Sequence, residues 1–404
     1  MSNVLNYLSK SVIHALNILF DAGFEAYVVG GAVRDALLHK KINDYDIATN
    51  ALPKNVIELF SEKSYKIDDC GIKHGTVRVI NNNVSFEITT FRKESSYKDN
   101  RHPDSVIFTN DLKEDLIRRD FTINAMACSV DGDVIDIFNG IDDLNNSVIR
   151  SVGDPNIRFQ EDALRMLRAI RFSSKLNFRI DEEIIKAIKN NFELIKNVSI
   201  ERINTEIDLI LSYKFSKHLI EFRDLFSLAY DLKIKDFDLM INKIDNFPDS
   251  IMKAAYVLSF IDGDFNNKVL SLKLSNSVKN KITVFYNNSK EYDFKSLDKY
   301  VIKTIFSKYG MDFGYDIIKY ICYYNNIDIL MINERIESIK EEVYTIDTLD
   351  INGNDLIELG YYKEQIGKAL NILLDMVLSG KVKNEKNALI RALYKIDIDY
   401  MDYM

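Results

Sequence analysis

Apolar and polar positions follow two rhythms along this chain, and the rhythm changes near residue 155. Leu5 to Phe20 repeats apolar residues at helical spacing, and Gly23 closes that segment. Ala26 to Val29 is a short apolar run that predicts a buried strand. Asp35 to Leu38 predicts a short helix, and Asp44 to Ala48 a second strand. Pro53 predicts the first turn of another helix, where its fixed φ is already helical. Thr76 to Ile80 and Val84 to Phe91 predict a hairpin around Asn81-Asn82-Asn83, and Val134 to Ile137 a further strand after Asp131-Gly132. The first ~140 residues therefore read as an α/β domain with hairpin-like links, not regular βαβ winding. From Arg158 onward strand signals vanish and helical periodicity dominates.

At 404 residues the chain exceeds one ordinary core, and apolar residues at 47% suffice to fill several. Only four prolines occur and no Gly/Ser-rich stretch does, so the modules are expected to be joined by helices. Cys70, Cys128 and Cys322 lie far apart with no Cys-x-x-Cys, which predicts free thiols and no zinc site. No basic-then-apolar leader and no segment of ~18 apolar residues is present, so a cytoplasmic protein without a membrane span is expected. The net charge of −8 argues against nucleic-acid binding by bulk electrostatics. Residues 146–205 are the exception, with 11 Lys and Arg against 8 Asp and Glu, leaving room for a local basic patch.

Candidate chemistry begins at Val29-Gly30-Gly31-Ala32-Val33-Arg34-Asp35, followed by Asp44-Tyr45-Asp46. Paired glycines let a phosphate approach the backbone. Residues i and i+2 of a strand share a face, so Asp44 and Asp46 present two hard oxygen ligands to one point. That pair suits Mg²⁺ in phosphoryl or nucleotidyl transfer. Glu87 alternates with apolar neighbours on a predicted strand and is either a third carboxylate or a salt-bridged surface residue. Arg118-Arg119-Asp120 with Asn124 is either a surface ion-pair cluster or a phosphate grip with a ribose contact. Glu161 to Phe172, placed on one helix, puts Ala163, Met166, Leu167 and Ile170 on one stripe and Asp162, Arg165 and Arg168 on the other side. Asp162 and Arg165 then form either an ordinary i,i+3 salt bridge or a base-reading pair. An Asp that accepts from an amino group beside an Arg that donates to a ring nitrogen matches cytosine and adenine, and it opposes the carbonyl of uracil and guanine.

In chain order these segments resemble the class II tRNA nucleotidyltransferases, the CCA-adding enzymes, and their bacterial poly(A) polymerase relatives. The likeness continues in Ser199-Ile200-Glu201-Arg202-Ile203-x-x-Glu206, in Asn352-Gly353-x-Asp355 to Gly360, and in Asn384-Glu385-Lys386. The resemblance implies an α+β fold: a polymerase-β-like head of mixed sheet and helices (1–145), then an all-helical neck (146–205), body (206–345) and tail (346–404). It implies Asp44 and Asp46 as catalytic Mg²⁺ ligands. It implies Gly31, Arg34, Arg119, Asp162, Arg165, Arg168 and Arg171 as nucleotide-binding residues, and CTP, ATP and tRNA as partners, the tail gripping the tRNA elbow. Poly(A) polymerases follow the shared motifs with a basic extension, whereas this chain ends on the acidic Asp397 to Asp402. Partial CC- or A-adding activity, poly(A) synthesis and an inactive RNA-binding module are the alternatives. An intact polar loop from Tyr97 to Thr109 favours complete activity.

Overall fold

The computed structural model describes residues 4–63, 65–68, 71–81, 84–94, 106–293 and 296–395. The chain forms two compact units, residues 1–235 and 236–404.

The first unit opens with a 3-10 turn at Val4–Tyr7 and α1 at Lys10–Asp21. One continuous helix from Leu5 to Phe20 was expected. Ser9 interrupts it, because its extended backbone and side chain accept from Val12 N and cap α1. The chain continues as β1 (Ala26–Val29), α2 (Gly31–Leu37), β2 (Tyr45–Thr49), α3 (Pro53–Glu62), β3 (Lys66–Asp68), β4 (Thr76–Asn81) and β5 (Val84–Thr90). Next come β6 (Arg92–Glu94), β7 (Val106–Phe108), α4 (Leu112–Ile117), β8 (Met126–Cys128), β9 (Val134–Asp136) and α5 (Gly140–Asn145). Among the described residues, seven strands form one mixed sheet in the order β3-β4-β5-β2-β1-β8-β9. β4 and β5 are the expected hairpin, closing at Asn81↔Val84, and residues 82 and 83 of its turn lie outside the described residues. Most of the loop from Tyr97 to Thr109 also lies outside them, although Val106–Phe108 pairs antiparallel with β6.

Two registers place the chemistry. β1 and β2 run antiparallel with Val29↔Asp46, so the end of β1 that feeds Gly30-Gly31 lies beside the second aspartate. β2 and β5 run parallel with Asp46↔Glu87. On β5, Phe86, Ile88 and Thr90 are buried, while Ser85, Glu87 and Thr89 take the opposite face, as period-2 alternation requires. Val29, Ala48, Phe91, Leu112, Leu116 and Ala127 pack α4 against the sheet.

The helical part of the unit follows β10 (Val148–Ile149): α6 (Pro155–Glu161), α7 (Leu164–Leu176), β11 (Arg179–Ile180), α8 (Glu182–Asn191) and α9 (Ile200–Leu211). The short parallel pair β10–β11 corrects the expectation that strands end before this region. Two residues per strand are too few to show a period. The expected single helix from Glu161 to Phe172 is also corrected. It breaks at Asp162 (φ −147°, ψ 103°), whose Oδ1 accepts from Leu164 N at 3.1 Å and so starts α7.

The second unit is helical in its described residues. Asn352 caps the helix Gly353–Glu358 in a reciprocal box with Asp355, and Lys386 Nζ reaches Asp355 at 2.6 Å. The Asn352 and Asn384 motifs thus meet each other. Leu356, Leu373, Val377 and Leu389 form the core beneath them. Cys128 and Cys322 are buried free thiols, and Cys70 lies outside the described residues.

Candidate active site

A cleft of about 500 Å³ in the first unit is lined by all nine candidate residues: Gly31, Arg34, Asp44, Asp46, Arg119, Asp162, Arg165, Arg168 and Arg171. Eight arginines and lysines line it against five aspartates, a cationic excess suited to a polyphosphate.

Gly30 makes the turn into α2 with φ 72°, a left-handed conformation that glycine adopts without strain. A Cβ there would stand 3.0 Å from Arg119 Nη1 and 4.0 Å from Asp46 Oδ2. The glycine therefore lets arginine and aspartate close in on the turn. The helix begins at Gly31, not at Asp35 as its polarity suggests, because Gly30 supplies the break. Arg34 consequently sits in the first turns of α2 and is buried. Its Nε donates to Asp35 Oδ1 at 2.8 Å and its Nη1 to Asn124 Oδ1 at 2.6 Å.

Asp44 immediately precedes β2 and Asp46 lies within it, and both face the cleft. Desolvation within the cleft raises the Asp46 carboxyl above its ordinary value, although the side chain stays open to solvent. Arg119 pulls it down, and Glu87 and Asp44 push it up further. A divalent cation would relieve that crowding, so the pair fits Mg²⁺. Among the described residues no three acidic, histidine or cysteine side chains converge on one point. Two carboxylates with room beside them suit Mg²⁺, which is commonly held by one or two carboxylates. Glu87 is the register neighbour of Asp46, yet its Oε1 accepts from Arg78 Nη2 at 2.8 Å. Its side chain is therefore a salt-bridged strand residue in this structure.

Arg118 and Arg119 share one buried anion that the motif reading missed. Asp115 Oδ1 accepts from Arg118 Nε and Nη2 (3.0 and 2.8 Å), and its Oδ2 accepts from Arg119 Nη2 at 3.2 Å. Burial alone would raise the Asp115 carboxyl, but the two guanidiniums hold it below its ordinary value. The spacing of Asp115, three and four residues before the arginines, was the available signal. The cluster is thus ion-paired and lines the cleft at once. Arg119 Nε is buried without a hydrogen-bond partner among the described residues.

Asp120 ties the segment after α4 to α7. It accepts from Phe121 N (2.8 Å) and Asn124 Nδ2 (3.1 Å) on Oδ1, and from Arg168 Nε and Nη2 (2.8 and 2.6 Å) on Oδ2. Burial opposes its ionisation, but Arg168 and the Asn124 hydrogen bond win and hold it at about 2. Asn124 and Asp120 spend these polar groups on protein partners.

The Asp162–Arg165 pairing is corrected in geometry. Because Asp162 lies in the break before α7, its Oδ2 accepts from Arg202 Nη2 of α9 at 2.8 Å instead. Arg165 Nη1 donates to Glu161 Oε2 at 2.6 Å, and its Nη2 donates to Arg118 O at 3.0 Å. Glu206, also on α9, lies 2.9 Å from Arg171 and 3.6 Å from Arg168. The segment Ser199 to Glu206 thus braces the arginine helix with one cation and one anion. Phe172 and Lys175 line the cleft and were not singled out from the sequence, and Arg202, named there only within the Ser199 to Glu206 likeness, lines it too. Lys175 lies one further helical turn beyond Arg171, so extending the arginine periodicity would have found it.

Residues 26–150 match the family described as poly A polymerase head domain. Residues 177–223 match the probable RNA and SrmB-binding site of polymerase A. The CCA-adding enzyme of Pediococcus pentosaceus is 36% identical over 399 residues, covering 94% of this chain and 96% of its own. That of Lactobacillus helveticus is 56% identical over 191 residues, 47% of each chain. The Bacillus stearothermophilus CCA-adding enzyme in complex with CTP superposes with a TM-score of 0.77 at 27% identity over 100% of both chains. The Thermotoga maritima CCA-adding enzyme complexed with tRNA superposes at 0.65 with 22% identity over 97% of both, a likeness of fold. Since a glycine turn, an aspartate pair and an arginine helix converge on one cleft, and since the identity extends over nearly the whole of both chains, this chain belongs to the CCA-adding enzyme family.

Proposed function

We propose that this chain adds C, C and A to the 3′ end of tRNA from CTP and ATP without a nucleic-acid template. The observation that carries the reading is the Val29↔Asp46 register, which sets the glycine turn against the aspartate pair at the mouth of a cationic cleft.

Asp44 and Asp46 would hold Mg²⁺. When bound, the ion neutralises charge on the triphosphate and acidifies the attacking 3′-hydroxyl. Gly31 and Arg34 take the phosphates at the start of α2, and Arg119 reaches them across Gly30. The tRNA 3′-hydroxyl gives its proton to solvent water, its oxygen forms a bond to the α-phosphorus, and the bond to pyrophosphate breaks. Asp162 and Arg165 read the base edge, and Arg168 and Arg171 complete the pocket. For Asp162 to accept from a base amino group, it shares or exchanges its Arg202 partner. The division into head 1–145, neck 146–205, body 206–345 and tail 346–404, with the tail on the tRNA, belongs to the same reading. So does a cytoplasmic location; among the described residues no helix is long and apolar enough to cross a membrane.

The test supplies tRNAs lacking their last three, two or one nucleotides with each labelled triphosphate in turn. C, C and A incorporated in that order, then a stop, is the expected result. Long A tracts would assign poly(A) synthesis, CMP or AMP alone a partial enzyme, and no incorporation an inactive module.

A further inference from the structure

Phe172, buried near the end of the arginine run on α7, meets three cations at once. The guanidinium carbons of Arg34, Arg168 and Arg171 lie 5.2, 5.5 and 4.4 Å from its ring centroid. All three distances are within cation–π range. Phe121 packs against the same ring edge-to-face at 5.8 Å and 78°. Arg34 comes from the head and the other two from the neck. Each has its own carboxylate: Asp35, Asp120 and Glu206 respectively. Burial, together with neighbouring Arg168 and Arg34, nonetheless holds the Arg171 guanidinium below its ordinary value despite Glu206. Three guanidiniums this close repel one another, and an ordinary apolar residue would do nothing to offset that.

We infer that Phe172 is a positioning residue for nucleotide binding, its aromatic face holding the Arg34, Arg168 and Arg171 guanidiniums in one preorganised array. The inference rests on the cleft being the nucleotide site. The ring touches no reacting atom in this scheme. It sets the ground-state grip on the incoming nucleotide, so its loss raises KM for CTP and ATP together and leaves kcat nearly alone.

Graded fluorination separates ring electronics from ring shape, since fluorine drains the negative face and barely alters volume. Mono-, di- and trifluorinated phenylalanine are placed at position 172 of the full chain, beside Phe172→Leu and Phe172→Tyr. Kd for CTP is measured by calorimetry with Mg²⁺ and no tRNA, and KM and kcat by CMP incorporation. Kd and KM are expected to climb stepwise with fluorination to roughly tenfold, with kcat within about twofold. Phe172→Tyr is expected to stay near wild type. Kd and KM that ignore fluorination while Phe172→Leu weakens binding would reduce the ring to space filling and overturn the inference. So would a fall in kcat at constant KM. If Phe172→Leu does not fold, the isosteric fluorinated series still decides. A wild-type chain that binds CTP but transfers nothing would sink the activity and leave the calorimetric test of the ring intact.

Discussion

Replacing Asp120 with Asn tests the joint between head and neck. The carboxylate accepts four hydrogen bonds, two on each oxygen. An amide keeps one acceptor and turns a donor toward the donors on the other side. Depression of the carboxyl from 3.8 to about 2 corresponds, at about 1.36 kcal/mol per unit, to roughly 2 kcal/mol of stability at neutral pH. Removing one partner of a fully buried ion pair costs about 3–5 kcal/mol. Arg168 keeps 33% of its side chain exposed, so water compensates part of that and about 2–3 kcal/mol is expected. For a unit of this size that lowers the midpoint of thermal unfolding by roughly 4–12 °C. The relevant transition is the one that CTP raises. The sign with pH follows from the depressed folded value: the stabilisation is complete above about 3.8 and disappears as pH falls toward 2. The gap between wild type and Asp120→Asn should therefore be widest near pH 7 and roughly halve by about pH 3. Equal midpoints at pH 7, or a gap that does not narrow on acidification, would refute the reasoning.

Asp44→Asn and Asp46→Asn should each abolish Mg²⁺-dependent incorporation while leaving the unfolding midpoint within a few degrees, since both side chains open onto the cleft; residual turnover near wild type would remove them as ligands. Gly30→Ala should cost about 1–2 kcal/mol by urea titration and cut transfer, because φ 72° strains an alanine and its Cβ meets Arg119; full activity would mean that the close approach is dispensable. Arg202→Leu leaves Asp162 without its 2.8 Å partner, and misincorporation of UMP and GMP should rise roughly tenfold; unchanged fidelity in a competition assay would uncouple α9 from base choice.

Much of the site was legible because its chemistry is local. Gly30-Gly31, Asp44 and Asp46, Arg118-Arg119 and the arginine run each occupy a few consecutive residues whose types state their chemistry. Several strands and helices in the head followed from period, with β1 and the Pro53 start of α3 agreeing at the residue, whereas β3, β6, β7, β8, α4 and α5 were not anticipated. What escaped depends on a break or a distant partner. The helix expected through Asp162 is interrupted by a cap that uses this same aspartate. Asp115 was passed over although it stands a helical turn from the arginines it neutralises. Arg202 lies 40 residues from its carboxylate, and no local spacing announces that pair.

By itself the amino-acid order determined which side chains are available: two carboxylates at i,i+2, cations at helical intervals, and glycines where the backbone must turn. These properties depend on covalent spacing and backbone period, which need no partner. Only the tertiary structure decided who pairs with whom, because charge pairing depends on distances set by β-register and helix packing. It gave Asp162 to Arg202, Arg168 to Asp120, and the face of Phe172 to three arginines from two parts of the chain.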